Sequence, residues 1–94
     1  MATTVRIPTV LRPAAGGLAT VEVDGATIGE VLAALSAEYP LIRDQLFDRD
    51  GSLHRFLNVY VNDDDVRYIG GLSAPVSAGD EVTLLPAVAG GARA

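Results

Sequence analysis

Ile28, Val31, Leu32, Leu35 and Tyr39 recur at the i, i+3, i+4, i+7 spacing that puts apolar side chains on one side of an α-helix. Thr27 and Glu30 stand before this run as a capping box. The threonine hydroxyl accepts from the Glu30 N–H, and the glutamate side chain reaches back to the Thr27 N–H. Pro40 ends the segment, because the residue before a proline is pushed out of the α region. One helix with one apolar face must bury that face against other elements. The rest of the chain offers mostly short strands.

Upstream, Thr3 to Leu11 reads as a strand, with Val5 and Ile7 alternating with Thr4 and Arg6 and with Val10 and Leu11 extending it. Pro8 has no N–H to donate, so this strand is expected to bulge or lie at an edge there. Pro13 to Gly17 is a turn. Leu18 to Val23 is a second strand, with Val21 and Val23 on one face and Thr20 and Glu22 on the other; joined by that turn, the two strands make a hairpin, which Asp24-Gly25 ends. Downstream of the helix, Leu41 to Phe47 is a candidate short second helix, and Asp48 to Ser52 is a loop. Phe56 to Val61 is strongly strand-like. Asn58 sets its parity, placing Leu57, Val59 and Val61 inward and Phe56, Asn58 and Tyr60 outward. Asn62 to Asp65 is a turn before a short strand around Val66 to Tyr68. Ser77 to Asp80 is another turn. Glu81 to Leu85 is the last strand, with Val82 and Leu84 inward, Thr83 and Leu85 outward, and Pro86 ending it. Two strands, a helix, then two or three strands define an α+β chain. The expected architecture is a β-grasp (ubiquitin-like) fold, a mixed four- to five-stranded sheet packed on one main helix. The same pattern also suits a ferredoxin-like sheet.

With 94 residues the chain is one domain, burying roughly 60–68% of the surface its unfolded form exposes. Three Tyr, two Phe and no Trp leave an aliphatic core. A net charge of −5 disfavours nucleic acid and anionic membranes, whose phosphates call for clustered Lys and Arg. The absence of cysteine excludes disulfides, thiolate catalysis and Cys-ligated metal. Met1 to Arg6 lacks a basic region followed by an apolar run, and no apolar stretch approaches the ~20 residues of a membrane span. A cytoplasmic location is expected.

Side chains able to do chemistry are few. His54 is the single histidine and has no second nitrogen ligand or poised nucleophile to work with, so it reads as a loop or surface residue. Asp48, Asp50 and Ser52 imitate the start of a calcium loop. Leu53 stands where that loop needs glycine, and Val59 where it needs a bidentate glutamate, so the reading fails. Asp63, Asp64 and Asp65 belong to one turn and need no metal. No catalytic residue, metal ligand or bound cofactor is expected. Among the paired glycines, Gly16-Gly17 and Gly70-Gly71 sit between strands and need only a positive φ. Gly90-Gly91 lies beyond the last strand, in a segment with little that packs.

Asn62 closing the Val59-Tyr60-Val61 strand, Gly79-Asp80-Glu81-Val82 entering the last one, and Pro86-Ala87-Val88-Ala89-Gly90-Gly91 after it together resemble the ThiS/MoaD family of ubiquitin-like sulfur carriers. The similarity covers nearly the whole chain. Leu53 to Arg67 looks most like the actinobacterial, CysO-type branch, which supplies sulfide for cysteine synthesis. The resemblance implies a protein cosubstrate rather than an enzyme. An E1-like partner, using ATP and Mg²⁺, would convert the carboxylate of Gly91 to an acyl-adenylate, and a sulfur donor would displace AMP to leave a thiocarboxylate for an accepting synthase. Val88, Ala89 and Gly90 would thread into the nucleotide site. Ala92-Arg93-Ala94 departs from the family pattern and implies removal by a JAMM-type zinc peptidase. Residues 1–86 would then be the domain, and 87–94 a flexible tail.

Two other readings share this tail. One is a ubiquitin-like modifier joined to lysines. The other is the small subunit of a molybdopterin-synthase-like complex. The destination of the sulfur stays open among cysteine, thiamine, a pterin and a thiosugar-type metabolite. For docking, the outward parity of Phe56, Tyr60 and Leu85 marks an exposed cluster beside the tail, unless Leu41 to Phe47 folds over it.

Overall fold

The computed structural model describes residues 2–54 and 57–86. Its strands are β1 (Ala2–Arg6), β2 (Thr20–Asp24), β3 (Leu57–Val61), β4 (Asp64–Asp65) and β5 (Glu81–Pro86), and its α-helices are α1 (Ile28–Glu38) and α2 (Arg43–Leu46). They form a five-stranded mixed sheet in the order β2-β1-β5-β3-β4. The β1–β2 and β3–β5 pairs are antiparallel, whereas β1 and β5 run parallel, Val5 facing Val82. A parallel neighbour needs a crossover connection, and α1 lies within it. This is the β-grasp arrangement, an open sheet holding one main helix.

Alternation decides which face holds the helix. Val5, Val21, Val23, Leu57, Val59, Val61, Val82 and Leu84 are buried on one side of the sheet, together with Ile28, Val31, Leu32 and Leu35 of α1. At ~25 cal/mol per Å² this aliphatic layer is the main source of stability. Thr27 caps α1 as its spacing predicts, its hydroxyl accepting from the Glu30 N–H at 3.2 Å. The Glu30 carboxylate reaches one residue further than expected, accepting from the Ala26 N–H at 3.0 Å. Gly25 leaves room for the helix start, since a Cβ there would lie 2.8 Å from the Val31 backbone nitrogen.

Three expectations need correction. The first strand stops at Arg6 instead of running to Leu11, and residues Thr9–Ala15 form a 3₁₀ segment. Pro8 holds φ near −67° and its carbonyl accepts from the Leu11 N–H, so it turns the chain out of the sheet rather than marking an edge. β1 is indeed interior, flanked by β2 and β5. The second strand accordingly begins at Thr20, not Leu18. Finally, Val66–Tyr68 is a 3₁₀ turn and the short strand is Asp64–Asp65, inside the stretch expected to be a turn. Asn62 adopts a left-handed φ of 56°, which closes the hairpin in two residues and brings Asp64 opposite Val61. Asp65 then starts the 3₁₀ turn by accepting from the Arg67 N–H at 2.9 Å.

The segment after α1 is a 3₁₀ turn (Pro40–Ile42) leading into α2. Ile42 and Leu46 enter the core beside α1, so this piece packs with the helix and, among the described residues, leaves the opposite face of the sheet uncovered. Both internal glycine pairs take positive φ, as expected.

Candidate functional site

β5 is the axis of the site, because the chain continues from its end toward Gly90 and Gly91. It lies in the sheet interior, hydrogen-bonded to β1 on one side and β3 on the other. Its start is locked. The Asn62 N–H donates to the Glu81 carbonyl at 2.7 Å, and the Glu81 N–H donates to the Asn62 side-chain oxygen at 3.1 Å. The Asn62 amide donates to Asp80 at 3.2 Å, and the other Asp80 oxygen accepts from the Ser77 N–H at 2.9 Å. These bonds hold the Asp80 carboxyl below its ordinary value, the Ser77 N–H being the larger cause and Asn62 the smaller. Gly79, at φ +89°, allows the turn. The residues read as a family motif are thus a bracket fixing the position and direction of β5.

At the far end of β5, Leu85 lies across from Asn58 and Pro86 from Leu57. The Arg67 guanidinium donates to the Asn58 side-chain oxygen and, at 2.8 Å, to the Leu57 carbonyl. It covers the part of β3 that the two-residue β4 does not reach. The sequence reading gave Arg67 no role. No local signal marked one, because the sequence places Arg67 inside an expected short strand and its partners lie on β3.

The outer face of the sheet is a polar row, Thr20, Arg6, Thr83, Tyr60 and Asp65, set by register. Arg6 approaches Glu81 at 3.7 Å with both side chains well exposed, a weak surface pair. Tyr60 and Leu85, two of the three expected docking residues, line one shallow cleft there with Arg6, Asn62 and Thr83. Leu85 is 46% exposed. Phe56, Val88, Ala89, Gly90, Gly91, Ala92, Arg93 and Ala94, all assigned roles above, lie outside the described residues.

Elsewhere the chemistry is sparse. His54 is half-buried, its backbone N–H donating to the Leu46 carbonyl at 2.8 Å, beside a cleft shared with Arg43, Asp44 and Arg49. The Asp48–Ser52 loop closes on itself, Asp50 accepting from the Ser52 N–H at 3.0 Å, which lowers the Asp50 pKa. Among the described residues no group of three His, Cys, Asp or Glu side chains is placed to hold a metal ion, and no helix is long and apolar enough to cross a membrane.

Comparison with known proteins fits this geometry. The ThiS family model matches residues 5–91, and the chain belongs to that family. It is 53% identical over 93 residues to the sulfur carrier protein CysO of Mycobacterium tuberculosis (strain ATCC 25618 / H37Rv), covering 97% of this chain and 100% of the relative. The crystal structure of the Amycolatopsis orientalis BexX/CysO complex contains a chain 51% identical, with a TM-score of 0.88, covering 96% of this chain and 100% of that one. Small archaeal modifier protein 1 of Haloferax volcanii is 39% identical over 72 residues, covering 76% of this chain and 78% of the relative. Fold and site therefore define a β-grasp protein cosubstrate, close to the actinobacterial CysO carriers. Its function is that of a sulfur carrier, with the C-terminal glycine activation and thiocarboxylate chemistry of this family.

Proposed function

We propose that the carboxyl of Gly91 is the sulfur-bearing group and that it becomes available only when Ala92-Arg93-Ala94 is removed. The observation that carries this reading is the extent of the family match, which ends on Gly91 while the sequence runs on. Residues 1–86 serve as the docking domain and 87–94 as the tail. An E1-like enzyme uses ATP and Mg²⁺ to form the acyl-adenylate, and a sulfur donor displaces AMP. The thiocarboxylate then gives up its sulfur inside an accepting synthase, with cysteine or a thiosugar-type metabolite as product. A JAMM-type zinc peptidase performs the trimming. Partnership with a second protein is supported by the related CysO, which crystallised in complex with BexX. Tyr60 and Leu85, with Phe56, form the docking surface. Val88, Ala89 and Gly90 pass through a channel too narrow for most side chains, which glycine and small residues suit.

The chain carries no acid or base for this chemistry. It supplies a stiff root, a thin lead and a carboxylate, and tethering gives the sulfur a high effective concentration at the acceptor. A second reading, conjugation to lysines of other proteins, draws on the likeness to small archaeal modifier protein 1 and shares every step up to the adenylate. High-mass conjugates on a denaturing gel separate the two.

The test compares the full sequence with a chain ending at Gly91, each given ATP, Mg²⁺, activating enzyme and sulfur donor. Three extra residues carry the terminal carboxylate ~10 Å beyond Gly91 when extended, and even ~1 Å of misplacement costs a reaction about 100-fold. The full chain should be inert, and the Gly91-ending chain should exchange one oxygen for sulfur by intact mass. Sulfur incorporated at Ala94, or none in the shorter chain, defeats the proposal.

A further inference from the structure

Beyond Thr83 the support of β5 becomes one-sided. Its pairing with β1 ends at Arg6 and Thr83, and Leu84, Leu85 and Pro86 pair only with Val59, Asn58 and Leu57 of β3. On the β1 side a cleft opens instead, with Pro8, Thr9 and Arg12 across from Leu84 and Leu85. β3 is also bare on its outer flank at this corner. β4 pairs with Tyr60 and Val61 alone, so among the described residues no strand lies outside Leu57, Asn58 or Val59. The ends of β5 and β3 therefore lean on each other, with no third strand on either side.

Arg67 takes the place of that third strand. The Asn62 N–H points at β5, where it donates to Glu81. Successive residues alternate, so Tyr60 and Asn58 also point their backbone groups at β5, and Leu57 points its own away. Asn58 and Leu85 are then the last pair, among the described residues, to exchange backbone bonds. Both outward groups of Leu57 are taken. Its N–H donates to the His54 carbonyl at 3.0 Å, and its carbonyl accepts from Arg67 at 2.8 Å. The same guanidinium donates to the Asn58 side-chain oxygen and, at 3.4 Å, to the His54 carbonyl. One planar fork ties His54, Leu57 and Asn58 together, and it stays charged at any working pH.

We infer that Arg67 is a positioning residue for partner recognition: acting through Leu57 and Asn58, it fixes the end of β5 and so sets where Leu85 stands. The inference rests on the reading that the activating enzyme docks on the face carrying Leu85. Without the fork, the Asn58–Leu85 pair has no support on its outer side, and the corner opens and closes locally. A partner that binds only the closed form sees its affinity reduced by the fraction closed, while the complex once formed reacts as before. The signature is a higher KM at unchanged kcat. A purely structural role has another signature, a lower melting temperature with both constants of the folded protein intact.

The test pairs amide hydrogen exchange with ATP–pyrophosphate exchange by the Gly91-ending chain and its activating enzyme, well below the melting temperature. R67A removes the fork, and R67K keeps the charge without the planar pair of donors, with circular dichroism confirming the fold of each. In R67A the Leu85 amide should exchange about tenfold faster relative to the Thr83 amide, whose partner Tyr60 is backed by β4. KM for the carrier should rise about tenfold at parental kcat. R67K should fall between R67A and the parent in both readouts. Unchanged relative protection of Leu85, or a parental KM in R67A, overturns the inference. So does an R67K chain with parental KM whose Leu85 exchanges as fast as in R67A, since Arg67 is then a charge the partner touches. Leu85→Glu separates the underlying reading. A parental KM in both Leu85→Glu and R67A removes the docking face itself, whereas a raised KM in Leu85→Glu alone keeps the face and removes only Arg67.

Discussion

The two ends of β5 carry the two halves of one sequence pattern, and they are built in opposite ways. At the start, Asn62, Ser77, Asp80 and Glu81 exchange backbone and side-chain hydrogen bonds, and Asn62 accepts a left-handed conformation to make them. At the end, Leu85 stands half-exposed beside a proline that has no N–H to donate, and among the described residues Arg67 bonds the neighbouring β3 while no side-chain bracket is seen on β5 itself. The first half spends its polar groups on architecture. The second keeps its surface available. A motif recognised as one unit therefore divides into a part that should govern stability and a part that should govern reaction, and substitutions at the two ends should separate those readouts.

The largest effect is expected beyond the exposed end. Gly91→Val in the Gly91-ending chain adds a branched side chain where the backbone must approach a nucleotide, and should lower ATP–pyrophosphate exchange about 100-fold or more. Its circular dichroism and melting should match the parent, because no core residue changes. Equal exchange by the two chains removes the glycine from the mechanism.

Leu85→Glu comes next. A charge at the centre of a docking face should cost ~2 kcal/mol of partner binding, roughly a 30-fold rise in KM for the carrier at little change in melting temperature. An unaltered KM in the folded variant would take Leu85 out of the interface and weaken the contrast drawn above.

At the bracketed end the order of effects should reverse. Asn62→Ala loses the side-chain bonds to Glu81 and Asp80 and forces a Cβ residue without a compensating polar group into the left-handed region, costing about 1–2 kcal/mol. For a domain of this size that lowers the melting temperature by about 4–8 °C per kcal/mol. KM and kcat of the folded protein should hold. Asn62→Gly, which tolerates the φ, should lose less than Asn62→Ala. If it loses as much, the hydrogen bonds matter and the backbone conformation does not.

The smallest effect is a pH dependence. Asp80 has its folded pKa depressed, chiefly by the Ser77 N–H and then by Asn62. Its contribution to stability is therefore present above the unfolded carboxylate value of ~3.9 and disappears as pH falls through the folded value. Asp80→Asn should flatten the melting temperature against pH below about pH 4 relative to the parent, and should leave the profile above pH 6 parallel. An acid limb of unchanged steepness would show that the carboxylate charge has no part in the bracket.

Much of this was legible in the sequence because burial imposes a period. The Ile28–Leu35 stripe and the alternation through Val21, Val23, Leu57, Val59, Val61, Val82 and Leu84 gave the helix, three of the strands and their inward faces. What the sequence concealed depends on individual hydrogen bonds and turns, which leave no periodic trace. Val10 and Leu11 look like strand residues, yet Pro8 and the Arg12 bond to the Ile7 carbonyl, at 3.1 Å, turn them into a 3₁₀ segment. Asp64–Asp65 has poor strand propensity and becomes β4 only because Asn62 folds it onto β3. The site was legible as a pattern, and its bracket was not. Nothing local shows that Asn62 will meet Asp80, eighteen residues away.

The parallel pairing of β1 with β5 also has a mechanical meaning. A pull between the start of the chain and the tail loads these two neighbouring strands lengthwise in opposite directions. Their hydrogen bonds lie across the line of force and share it, so they must slide together instead of peeling one at a time. β3 grips β5 from its other flank over five residue pairs. A machine that tugs the last residues, or a partner that draws them out of a tight channel, therefore meets a domain anchored in shear, and the thread should come free of the partner before the knot at its root comes undone.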